Sequence, residues 1–217
     1  MTRMQTIALF DLDGVIVDTE GQYTLFWEKV GKRDFPETED FAARIKGHTL
    51  KQIVGEYYPN DAEKRQQVIE ELWQFEREMD FPYIKGAVTF VRALREAKIP
   101  VAVVTSSDNK KMQCLFKCHP ELPELFDRIF TAEDARRSKP APDCYIDAAR
   151  ALGGDAQDAV VFEDSISGLQ AGRNSGALVV GLTTTNSAKV IEPLCDKVIN
   201  DFTEITVVQM CNLLNNK

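Results

Sequence analysis

The chain has 217 residues and a net charge of −8, with 34 acidic against 26 basic side chains. Without a basic block it argues against nucleic acid as a partner, because binding to a phosphate backbone relies on clustered Lys and Arg. No apolar stretch approaches the ~18 residues of a membrane span, and Met1-Thr2-Arg3-Met4-Gln5 leads straight into an apolar run, so no membrane contact, no signal peptide and a cytoplasmic location are expected.

The first predicted element is the apolar run Ile7-Ala8-Leu9-Phe10, which stops on Asp11-Leu12-Asp13-Gly14. A strand buried on both faces reads as a continuous hydrophobic run, which puts Asp11 at the carboxyl end of a central parallel strand, where open α/β sheets bind ligands. Asp11 and Asp13 project similarly if the backbone stays extended, and two close anions need a cation or a proton between them. The pair fits a hard metal, or a carboxylate nucleophile beside a protonated acid. Taken alone, it reads equally well as an Asp-Gly turn in which Asp11 caps the next helix.

From about Thr19 to Phe81 the pattern turns helical. Leu72, Phe75 and Met79 fall at spacings of three and four, and Ile45, Ile53 and Val54 suit a helical face. Such an insertion adds no strand to a parallel sheet, so residues 19–81 are expected to form a helical cap on a core of residues 1–18 and 82–217. Asp18-Thr19-Glu20-Gly21 and Phe81-Pro82-Tyr83-Ile84-Lys85-Gly86 are the expected hinges. Trp27, Trp73, Phe75 and Tyr83 are read mainly as filling of the small cap core.

Ile99 to Val104 is a second strand, running into Thr105-Ser106-Ser107, whose hydroxyls can donate to a phosphate oxygen. The five cysteines (114, 118, 144, 195 and 211) are an odd set without Cys-x-x-Cys, against a disulfide framework or zinc ribbon. Cys114 and Cys118, at i and i+4, are read as small core residues rather than as metal ligands with His119. In Ser138-Lys139-Pro140-Ala141-Pro142-Asp143 prolines bracket a helix start and fix the backbone around one lysine, suited to neutralising a phosphate or acyl phosphate.

A third strand, Ala159 to Phe162, meets a second acidic pair, Glu163-Asp164, before Ser165. This pair can cap the next helix or complete an oxygen-rich magnesium site with Asp11. Gly168 and Gly172 lie on one helical face and allow close approach to the sheet, while Gly176 ends the helix. Leu178 to Leu182 reads as a further buried strand, Lys197-Val198-Ile199 as an edge strand, and Phe202 to Leu214 as a closing helix.

In this order the four polar segments resemble the haloacid dehalogenase superfamily, in its β-phosphoglucomutase-like branch, over about Ile7 to Leu182. The resemblance implies a doubly wound α/β parallel-sheet core with an inserted α-helical cap. It implies Asp11 as the nucleophile that forms an aspartyl-phosphate, and Asp13 as general acid/base whose backbone carbonyl also reaches Mg2+. Thr105, with Ser106, and Lys139 would hold the phosphoryl group, Lys139 also serving catalysis. Asp164 would ligate the metal with Asp11, and Glu163 would ligate it or stand one layer back. Lys46-Gly47-His48 corresponds to the substrate-specificity loop of the cap.

Mutases of that branch carry a histidine soon after their Asp-Thr, where Tyr23 stands, and an arginine just beyond the Lys-Gly of the cap loop, where Leu50 stands beside Lys51. Lysine does not replace a bidentate arginine. The reading is therefore a monomeric, magnesium-dependent phosphohydrolase of a small phosphorylated substrate, a sugar or polyol monophosphate. The alternatives are mutase phosphotransfer, inorganic pyrophosphatase activity, and a non-catalytic phosphometabolite sensor. Retention of Asp11, Asp13, Lys139 and Asp164 speaks against the sensor.

Overall fold

Short, mostly apolar runs give six parallel strands in this computed structural model, which describes residues 6–216. They are β1 (Ile7–Phe10), β2 (Val101–Val104), β3 (Arg128–Phe130), β4 (Ala159–Glu163), β5 (Leu178–Leu182) and β6 (Lys197–Ile199). The sheet order is β3-β2-β1-β4-β5-β6, with Ala8 level with Val101 on one side and Val160 on the other. From β1 the chain winds outward to β3, returns to β4, and winds outward again. The carboxyl end of β1 is thus the switch point at which a crevice opens.

Eleven helices connect and flank these strands among the described residues. They are α1 (Glu20–Asp34), α2 (Phe41–Arg44), α3 (Leu50–Tyr57), α4 (Ala62–Glu78), α5 (Ala87–Glu96), α6 (Asn109–Cys118), α7 (Leu122–Leu125), α8 (Asp143–Ala151), α9 (Ile166–Ser175), α10 (Ala188–Ile191) and α11 (Val207–Asn215). Both sheet faces are covered, which explains the absence of polar residues inside the central strands. Ala8 and Phe10 point to a layer containing α5, α6, α7 and α11, whereas Ile7 and Leu9 point to α8, α9 and α10. On the first face Phe10 stacks on Phe162 with ring centroids 4.7 Å apart and lies against Phe90, Phe126 and Phe202.

The helices α1 to α4 gather around a separate core that includes Trp27, Val30, Phe41, Ile53, Val68 and Leu72. Thr49 and Gln52 form a reciprocal capping box at the start of α3, and Asp61 caps α4. The two connections to the sheet are hydrogen-bonded to each other. Asp18 N donates to Pro82 O at 2.7 Å and Ile84 N to Ile16 O at 2.9 Å.

Three local expectations are corrected. The strand β3 was not foreseen, because Arg128-Ile129-Phe130 is short and carries a charge at the sheet edge. The closing helix is broken: Phe202–Glu204 is a 3-10 turn, Ile205 is extended, and Thr206 caps α11 with Gln209. Cys118 is exposed at the last residue of α6, so only Cys114 packs against the core. Two of the glycines behave as anticipated: Gly172 backs onto Val179 and Val161, and Gly176 ends α9 with φ 86°.

Candidate active site

Asp11 follows β1 directly and is 8% exposed, with its backbone N–H bonded to Phe162 O of β4. Lys139, held by the loop before α8 and 3% exposed, donates to Asp11 Oδ1 at 2.8 Å and to Glu163 Oε1 at 2.6 Å. Val104 O, at the end of β2, takes a further bond from the same ammonium at 3.1 Å. Three strand ends are thereby tied to one cation.

Glu163, fully buried, has its acceptor capacity filled. Oε1 accepts from Lys139 and, at 3.0 Å, from Tyr145 Oη of α8; Oε2 accepts from the N–H groups of Asp164 and Ser165 and from Ser165 Oγ. Between the two ligand roles left open by the sequence, this favours orienting Lys139 over holding a metal. Gly168 makes this carboxylate position possible, since a Cβ there would stand 1.6 Å from Glu163 Oε1.

Asp164, 1% exposed, accepts a bond from Thr185 Oγ1, and Asn186 Nδ2 donates to its backbone carbonyl at 2.9 Å. Gly14, at φ 70°, leaves the space that Asp164 occupies, because a Cβ would come within 2.1 Å of Asp164 Oδ2. Oxygens of Asp11, Glu163 and Asp164 lie within 4.8 Å of one another. Burial, with Glu163 and Asp13 adding to it, lifts the Asp11 carboxyl to about 7 despite Lys139. Burial, with Glu163, Glu20 and Asp11, pushes Asp164 well above the carboxylate range. Three buried acids against one lysine are short of positive charge, and an all-oxygen donor set fits a hard divalent cation.

Asp13 does not share this cluster. Lys111, buried on α6, places its ammonium 2.5 Å from both Asp13 oxygens, while Thr19 Oγ1 and, at 2.9 Å, Ser107 Oγ also donate. Burial alone would raise this carboxyl, yet Lys111 and the two hydroxyls outweigh it and hold Asp13 below its ordinary range. Ser107 therefore serves Asp13, whereas Thr105 Oγ1 accepts from Ser107 N at 3.0 Å.

The helical unit closes the other side of the same pocket. Lys46 pairs with Glu20 at 3.3 Å, His48 lines the pocket, and Ser106 Oγ reaches Gly47 O at 3.4 Å. Gly47, at φ 77°, lies so close to Ser165 and Ser167 that a Cβ would meet their hydroxyls at 2.8 and 2.3 Å. Its freedom serves contact with the sheet domain's loop. Trp27 is buried in the helical core, as expected, while Trp73 lies under the ammonium of Lys110, 2.8 Å from its ring centroid.

A family model described as haloacid dehalogenase-like hydrolase matches residues 8–182. The chain belongs to the haloacid dehalogenase-like hydrolases. It is 29% identical over 207 residues to validoxylamine A 7'-phosphate phosphatase of Streptomyces hygroscopicus subsp. limoneus, covering 93% of this chain and 96% of that one. It is also 29% identical to hexitol phosphatase A of Escherichia coli, with 94% of each chain covered. A haloacid dehalogenase hydrolase of family IA, variant 3, from Entamoeba histolytica superposes with a TM-score of 0.84 at 28% identity, covering 98% of this chain and 100% of that one. Sequence relatives that include phosphatases and β-phosphoglucomutases give this haloacid dehalogenase-like hydrolase its branch and its class, a phosphoric monoester hydrolase.

Sequence reasoning missed several residues of this hydrolase site. Lys111 lies six residues beyond Thr105, on the first turn of a helix capped by Asp108, and only folding points it at Asp13. Thr185 and Asn186 follow β5, so the rule that strand ends build the site could have found them. Tyr145 and Glu76 carried no sequence signal beyond helical spacing.

Proposed function

We propose that the protein is a magnesium-dependent phosphatase of a small phosphorylated sugar or polyol, working through an aspartyl-phosphate on Asp11, with residues 19–81 as a cap over the pocket. The observation that carries this reading is the Asp11 carboxylate on the pocket floor, 2.8 Å from Lys139 and facing Thr105, Asp13 and Asp164. Asp11 attacks phosphorus and the bond to the leaving oxygen breaks, with Lys139 and Thr105 holding the phosphoryl oxygens. Asp13 gives a proton to the leaving oxygen, then takes one from the water that attacks the aspartyl-phosphate, releasing inorganic phosphate.

Asp11 and Asp164, with the Asp13 backbone carbonyl, would hold magnesium. When bound there, the ion supplies charge neutralisation between the nucleophile and the phosphoryl group. The pairing of Asp13 with Lys111 favours the ionised form, the one that accepts a proton from water in the second half of the cycle. Leu50 and Tyr23 both line the pocket, so apolar and phenolic groups stand where a mutase would grip a second phosphate. By their names the related phosphatases act on validoxylamine A 7'-phosphate and on hexitol phosphates, and the hexitols support a hydroxylated leaving group.

Phosphate release from a panel of phosphorylated metabolites tests the reading. Activity is expected with magnesium, lost with EDTA, restored by magnesium and poorly supported by calcium, whose coordination is looser. Full turnover in metal-free buffer would sink it.

A further inference from the structure

The part of the pocket that faces the leaving group is built without a spare positive charge. Three lysines line it and each is already paired: Lys139 with Asp11 and Glu163, Lys111 with Asp13, and Lys46 with Glu20. No arginine lines it among the described residues. Glu76 of α4 enters this pocket from the helical unit, 5% exposed. Its one hydrogen bond comes from Tyr23 Oη at 2.8 Å, and it forms no ion pair among the described residues. A carboxylate offers about four acceptor sites, so most of its capacity is open to whatever fills the pocket. His48 Nδ1, also on the pocket lining, is buried with no partner among the described residues. One helical turn before Glu76, Leu72 adds an apolar wall, and Trp27 lies beside it.

Resting on the phosphatase reading, we propose that Glu76 is a specificity-determining residue. It accepts hydrogen bonds from the hydroxyls of an uncharged, polyhydroxylated leaving group and turns away leaving groups that carry a second anion. Hydroxyls supply the donors that Glu76 lacks, and the C–H faces of a polyol or sugar suit Leu72 and Trp27. A second phosphate or a carboxylate would instead meet Glu76 with every nearby ammonium already engaged, and like charges in a water-poor pocket repel strongly. The same arrangement disfavours pyrophosphate, whose leaving group is itself an anion.

Steady-state kinetics with magnesium at pH 8 on five probes decide the matter: p-nitrophenyl phosphate, glycerol 3-phosphate, sorbitol 6-phosphate, 3-phosphoglycerate and fructose 1,6-bisphosphate. For the wild type, kcat/KM is expected to be at least about 10-fold higher on the better polyol phosphate than on either probe with a second anion. Glu76→Leu should lower kcat/KM on that polyol phosphate by about 10- to 100-fold and on the aryl phosphate by no more than about 3-fold. Glu76→Gln, nearly identical in shape, should shrink the wild-type preference against 3-phosphoglycerate by about 10-fold. A wild type that prefers an anionic leaving group overturns the proposal whatever the variants do. So do equal losses on all five probes in a Glu76→Leu protein whose circular dichroism is unchanged. If the wild type hydrolyses none of them, p-nitrophenyl phosphate included, the phosphatase reading falls and the proposal with it.

Discussion

At the scale of single residues, two carboxylates two positions apart receive opposite treatment. Asp11 shares Lys139 with Glu163 and is left short of positive charge, whereas Asp13 has Lys111 to itself together with two hydroxyl donors. Their substitutions should therefore differ in kind. Asp11→Asn is expected to abolish formation of the phosphoenzyme, because an amide oxygen is a poor nucleophile, while Asp13→Asn slows turnover by about 10²- to 10⁴-fold through loss of proton transfer. Trapping of labelled phosphoenzyme separates the two, and near-native turnover by Asp11→Asn would refute the nucleophile assignment. Gly168 marks another residue-scale constraint. A methyl group placed 1.6 Å from Glu163 Oε1 must displace the carboxylate that positions Lys139. Gly168→Ala should cost about 1–3 kcal/mol by overpacking and lower kcat as well, read by thermal unfolding and steady-state assay.

At the scale of elements, the proposed function divides chemistry from recognition. The ends of β1, β2 and β4 supply Asp11, Thr105 and the Glu163-Asp164 pair, and parallel pairing fixes their mutual positions through backbone hydrogen bonds. The Lys46–Thr49 segment between α2 and α3 meets them from the other side, where Ser106 Oγ donates to Gly47 O. Substitution of Lys46 or His48 should thus change the ranking among phosphate esters more than it changes hydrolysis of p-nitrophenyl phosphate, which uses few of those contacts. Equal losses on every ester, measured as kcat/KM, would make the segment an ordinary interhelical turn.

For the whole molecule, the pocket between the two units leaves a titration signature in stability. Burial pushes the Glu76 carboxyl up to about 7, opposed by Lys111 and by the Tyr23 hydrogen bond and assisted by Asp108 and Asp13. Its ordinary value in the unfolded chain is 4.5, so the folded protein binds this proton more tightly. The contribution to stability is complete below the unfolded value and is lost as pH rises through the folded one. Glu76→Gln carries no such loss. Its thermal midpoint relative to wild type should rise between pH 5 and pH 8, by an amount corresponding to on the order of 3 kcal/mol at full ionisation. A difference that stays constant across that range in thermal melts would contradict the buried position of Glu76.

Strand β1, the order of the acidic, hydroxyl and lysine segments, and the helical character of residues 19–81 were legible in the sequence. Each depends on local chemistry: a strand buried on both faces must be apolar, and a parallel strand must end where polar groups begin. The pairing of charges was not legible. Lys111 and Asp13 are 98 residues apart, Lys139 and Asp11 are 128 apart, and Tyr23 and Glu76 are 53 apart. No spacing rule links positions joined only by sheet order and by the docking of one unit on another. The same holds for Gly14 and Gly168, which look like turn and helix-packing residues until the carboxylates they make room for are in place. The sequence by itself determined the fold and brought out the residues proposed for phosphoryl chemistry. Tertiary structure alone decided which acid each lysine neutralises, and so which carboxylate remains open to the pocket, because charge balance in a buried site depends on distances that only packing sets.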